Sequence, residues 1–145
     1  MPQSATKHDV KNALQNPFAD DLLATQPWRY DRDSIEDVQT EQDLLVRVII
    51  GKVVTVVEEI DAVLAAIPVE SVGLREFNDE MWMEAAIEEL KKKEAVKGLV
   101  TWKAMKGVAV DYVEMKKRIG RWDTEWEGEK RVPMLDLMTG EEVVG

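Results

Sequence analysis

At 145 residues the chain is long enough for one packed domain with extensions and too short for two ordinary domains. With 45% hydrophobic and 33% charged residues it has the composition of a folded protein, and with no cysteine it has neither a disulfide framework nor a thiolate nucleophile or metal ligand. The formal charge of −10 argues against binding to nucleic acid phosphates, which need a basic face, so no direct sequence-specific contact with nucleic acid is expected.

Residues 1–33 hold three of the five prolines and show no sustained hydrophobic period. They read as an extended arm, with Phe18, Leu22 and Trp28 as apolar anchors for another surface. No basic stretch followed by an apolar run is present in MPQSATKHDVKNALQ, so no secretory signal is read. The expected setting is cytoplasmic or within an assembled particle.

The stretch VRVIIGKVVTVVEEIDAVLAAIP, residues 46–68, supports two structures. Nine of the twelve residues from Val46 to Val57 are β-branched, and Gly51-Lys52 suits a two-residue turn, which favours a β-hairpin. Against this, Val46, Ile49, Val53, Val56, Ile60, Val63 and Ile67 alternate at spacings of three and four, as on one seam of a helix. Thr40 with Asp43 resembles a capping box and Pro68 marks a stop. Sustained period outweighs propensity, so a helix over about 41–67 is predicted. Charged residues at Arg47, Lys52, Glu58, Glu59 and Asp61 exclude a membrane span there. Such a helix is apolar around most of its circumference and needs cover beyond its own chain, with Ile49, Val53 and Val57 as partner-binding residues.

Residues 79–97 predict a second amphipathic helix with Trp82, Met83, Ala86, Ile87 and Leu90 buried. Residues 99–119 predict a third, with Trp102, Met105, Tyr112, Met115 and Ile119 on one side and Gly120 as its stop. The Trp and Met stripe is core rather than a cofactor site. LDLMTGEEVV predicts two short strands around Thr139-Gly140. The expected fold is therefore mainly α: a three-helix body (about 41–67, 79–97 and 99–119) within a helical domain 34–120, an extended arm 1–33, and a small C-terminal β-hairpin or tail 121–145.

Charge comes in blocks: −1 for residues 1–33, −11 for 34–90, +7 for 91–121 and −5 for 122–145. These blocks either attract one another within the fold or join one copy head to tail with the next. The inventory of reactive groups is thin. His8 is the one histidine, so a histidine triad or a His-rich metal site in the core is excluded. Carboxylates remain: Glu58-x-x-Asp61 and Glu76-x-x-Asp79 each place two acids on one helical face. With LREFND at 74–79, this pattern resembles the all-α nucleoside triphosphate pyrophosphohydrolases of the MazG and dimeric dUTPase type. The resemblance covers about residues 52–90 and implies Mg²⁺ held between two helices by Glu58, Asp61, Glu76 and Asp79. Asp61 stands where that family carries Glu, and the competing assignment makes Asn78 or Asp79 a helix cap.

The reading preferred from the sequence is a non-enzymatic assembly or interaction protein that binds itself or other protein subunits, without catalytic residues, cofactor or membrane contact. A virion adaptor-type component is the architectural analogy. A Mg²⁺-dependent pyrophosphohydrolase and an acidic inhibitor of a basic protein surface are the alternatives.

Overall fold

The β-branched residues between Val46 and Val57 keep most of that segment extended, and helix begins only at Val57. The computed structural model describes residues 4–11, 28–41, 44–69 and 78–145. Along them run strands β1 (Ala5–Lys11), β2 (Arg29–Ile35), β3 (Arg47–Ile49) and β4 (Lys52–Val53), then helices α1 (Val57–Ala65) and α2 (Asp79–Lys92). Strand β5 (Val96–Lys97), helix α3 (Trp102–Arg118) and strands β6 (Met134–Asp136) and β7 (Glu142–Val144) complete the order. Among the described residues, three α-helices and seven strands in three small sheets replace the expected mainly α, three-helix body.

Two corrections lie in residues 41–67. Among the described residues of the expected helix only Val57–Ala65 is helical, because the stiff side chains of the valine-rich run lose less freedom in extended backbone. The hairpin is absent too: β3 pairs in parallel with β6, whereas β4 pairs antiparallel with β5. Gly51 separates them. A Cβ there would lie 2.6 Å from the Lys97 carbonyl oxygen and 2.6 Å from Val96 Cγ1, so only glycine lets the chain cross β5 this closely.

The expected extended arm is also corrected. β1 and β2 form an antiparallel ribbon over seven residues each, with Ala5 opposite Ile35 and Lys11 opposite Arg29, so position 33 falls inside a strand. Val10 is buried in the core with Val63 and Leu64 of α1 and Trp82, Ala86 and Leu90 of α2, and the half-buried Trp28 and Tyr30 pack against it. Ring contacts run from His8 to Tyr30 and from Tyr30 to Trp82, at centroid separations of 6.1 and 6.0 Å. The ribbon is thus part of the body.

Helix ends follow local chemistry. Asn78 accepts from the Met81 N–H at 2.8 Å and Thr101 from the Ala104 N–H at 3.2 Å, capping α2 and α3. α2 ends at Lys92 rather than the expected 97 because Glu94 turns left-handed (φ 55°) and the Ala95 N–H donates back to the Leu90 carbonyl at 3.1 Å. That closure sends Val96 and Lys97 into β5. At the C-terminal end β6 and β7 pair antiparallel around Gly140, yet they are no free-standing hairpin. β3 adds to β6 and makes a three-stranded sheet ordered β3-β6-β7, fixed by Arg47, which donates through its N–H to the Pro133 carbonyl at 2.7 Å and through its guanidinium to the Val132 carbonyl at 2.8 Å.

Gly51→Ala tests the crossing. It should cost about 2 kcal/mol, in the range of overpacked cores, and lower the thermal midpoint without loss of helical circular dichroism. A neutral result would mean that the chain does not pass β5 this closely.

Candidate functional site

Between β4 and α1 the chain reads Val53-Val54-Thr55-Val56-Val57, and its four valines are 45–63% exposed. Local structure explains why. β4 is two residues long, Thr55 bends the chain, and Val56 occupies the N-cap of α1 with extended backbone (φ −79°, ψ 155°) and no side-chain oxygen to bond the first turn. α2 and α3 both carry proper caps. Valine at this position forgoes about 1 kcal/mol of capping while placing an apolar side chain in water. Glu58 and Glu59 follow in the first turn, where carboxylates suit the helix dipole.

The partner-binding residues read from the sequence are therefore divided. Val53 and Val57 lie together in this exposed segment, Ile49 is half-buried in β3, and Trp28 packs on the core. Phe18 and Leu22 lie outside the described residues. Met115 at the end of α3, with Ile119 and Trp122 just beyond it, is also exposed, which corrects the placement of Met115 and Ile119 in a buried stripe.

Of the four acids considered for Mg²⁺, the three that are described have different surroundings. Glu58 is exposed on α1, and Asp79 is exposed in the first turn of α2, after the capping Asn78. Asp61 is committed to neighbours: its Oδ1 lies 3.0 Å from Arg32 Nε and 3.6 Å from His8 Nε2. Glu76 lies outside the described residues. Among the described residues no group of three or more His, Asp or Glu side chains is placed to hold a metal ion. Glu58 and Asp61 lie on α1 and Asp79 opens α2, two helices that pack together, but within a mixed fold rather than the all-α frame of the pyrophosphohydrolases. Asp79 does border a pocket of about 180 Å³ with Asp9, Glu80, Trp82 and Trp102.

Two polar clusters escaped the sequence. In the first, His8 on β1 touches the Tyr30 hydroxyl through Nδ1 at 2.6 Å and faces Asp61 of α1 through Nε2. Neutral imidazole protonated on Nε2 serves both, accepting from Tyr30 and donating towards Asp61. Burial pushes the His8 pKa down, the Asp61 charge opposes this, and Arg32 adds to the lowering. In the second cluster Lys116 of α3 is buried, and its ammonium sits 2.6 Å from Glu142 of β7. The Tyr112 hydroxyl donates to the same carboxylate at 2.7 Å. Burial raises the Glu142 pKa, but hydrogen bonds from Lys116 and Tyr112 outweigh it, so the carboxyl stays below its ordinary range. Burial, then the bond to Glu142, holds the Tyr112 pKa far above that of a free phenol. Tyr112 and Glu142 stand at one wall of an open groove of about 400 Å³, lined also by Val108, Asp111, Met115 and Leu135. The spacing of Tyr112 and Lys116 on one helical face was the available signal; their acceptor, thirty residues away on a strand, left none.

The chain matches one family model, Family of unknown function (DUF6914), over residues 1–144, and belongs to that family. No curated protein and no solved structure matches it. Among the described residues, no helix is long and apolar enough to cross a membrane.

Both clusters have measurable consequences. Because the folded His8 pKa lies below its ordinary 6.5, the unfolded chain takes up that proton first. Stability should thus be full above about pH 6.5 and fall as pH drops through the lowered folded value. His8→Gln should remove this limb from a pH series of urea midpoints and leave the lower, carboxylate limb. In the second cluster, Glu142→Gln strands a buried ammonium and should cost about 3 kcal/mol, whereas Lys116→Met leaves a carboxylate that water reaches and should cost about 1 kcal/mol. Equal costs in denaturant titrations would contradict the placement of Lys116 inside and Glu142 at the surface.

Proposed function

We propose that this member of the family is a non-enzymatic assembly or interaction protein, a subunit of a homo-oligomer or of a larger particle, that docks through residues 53–57. The observation carrying this reading is the run of four exposed valines. Isolated exposed apolar residues are ordinary on any protein, but a continuous run marks a contact surface or an aggregation hazard. A second feature supports contact over accident: Val56 stands where a capping side chain would stabilise α1. Local rules of this kind are broken in natural sequences mainly where function requires it.

Reactive side chains in the two polar clusters already have structural work. The single histidine contacts the Tyr30 hydroxyl at 2.6 Å and faces Asp61 of α1 at 3.6 Å. Lys116, Tyr112 and Glu142 tie α3 to the last strand. Part of the charge-block pattern is also used internally, since Lys106 of α3 pairs with Glu80 of α2 at 2.7 Å.

The reading is tested by Val54→Glu on the full chain. Applied dilute to a hydrophobic-interaction column, the unaltered protein should be retained and the variant should elute early, with identical circular dichroism. Equal retention would show that this segment presents no usable apolar surface, and the proposal would fail.

A further inference from the structure

We propose that residues 52–58 pair with the same residues of a second copy about a two-fold axis through Thr55. This rests on the interaction reading above and names its partner. The segment reads Lys52-Val53-Val54-Thr55-Val56-Val57-Glu58 and is self-complementary about its centre. Turned by a half rotation onto itself, Val53 meets Val57, Val54 meets Val56, Thr55 meets Thr55, and Lys52 meets Glu58. The charged pair occurs twice.

A two-fold contact uses one patch on both subunits, so any residue at a given distance from the axis must suit its counterpart on the other side. Most surface segments fail this requirement because a charge meets its own kind or an apolar group. Here the flanking charges reinforce the match. Lys97 lies opposite Lys52 in the β4–β5 register, which makes that end of the patch doubly basic, and Glu59 beside Glu58 makes the other doubly acidic. Lys52, Lys97, Glu58 and Glu59 are all exposed. β4 pairs only with β5 among the described residues, so its other edge carries no ladder partner there. Head-to-tail contact between unlike patches would build rings or open chains, while this arrangement closes at two. The apolar patch is small, so the pair should be weak and reversible.

The test is sedimentation equilibrium of the full chain across micromolar to millimolar concentrations. The unaltered protein should reach dimer and no further. Lys52→Glu and Glu58→Lys alone each place like charges together twice and should weaken association about tenfold. The double variant Lys52→Glu with Glu58→Lys restores opposite charges and should recover it. A second measurement is independent of charge. The chain has no cysteine, so Thr55→Cys provides one thiol near the axis. A short bismaleimide should link it into dimers, and should not link Val110→Cys, an exposed site on α3. A monomer at all concentrations, no recovery in the double variant, or equal cross-linking of both thiols would overturn the two-fold pairing. If Val54→Glu still abolishes column retention, the interaction reading survives with another occupant; if retention is also unaffected, both fall.

Discussion

The close crossing of Gly51 over β5 is the constraint on which the rest depends. A single residue without a side chain lets one continuous β-prone run serve two sheets: the part before it pairs with β6 and the part after it with β5. With the run divided, neither half is long enough to bury its own valines. The half after Gly51 gives way to α1 almost at once, and its side chains are left at the surface. Exposure of residues 53–57 follows from how the chain is partitioned, and no missing core needs to be invoked.

Two sets of interactions hold the body around that crossing. One is apolar, with Val10 from the ribbon set among Val63, Leu64 and Trp82 between α1 and α2. The other is polar, with the ammonium of Lys116 and the Tyr112 hydroxyl sharing Glu142 on the closing strand. A buried cation with one partner specifies position more than it adds stability, since desolvation offsets much of its attraction. The last strand is thereby fixed against α3, and the sheet it edges provides the neighbour that β3 requires.

What was legible in the sequence was local. α2 and α3 lie within the spans read from period, and of the two caps weighed for α2, Asn78 or Asp79, Asn78 is the one used; the Thr101 cap of α3 was not read. The segment before Pro68 misled because valine satisfies a helical seam and a strand equally, and seven matches to a three-four spacing did not show that the residues were helical. Of those seven, only Ile60, Val63 and Ile67 reach the core, Ile60 only in part. Pairings between distant segments left no trace: nothing near Arg47 announces Met134, and nothing near Lys7 announces Asp33. Val53 and Val57 were read as apolar surface on one long helix; they are exposed for a different reason, Val53 because it lies in the short strand β4 and Val57 because it opens the first turn of α1. The buried Lys116 was hidden for the opposite reason, since a lysine in a basic run reads as solvated.

Parallel pairing of β3 with β6 also bears on how the molecule is made. Residue 47 finds its neighbour at residue 134, so eighty-seven further residues must be synthesised before that sheet can close. Until then a nascent polypeptide carries an unmatched valine-rich strand away from the ribosome, in the state most prone to capture by chaperones or by sister chains.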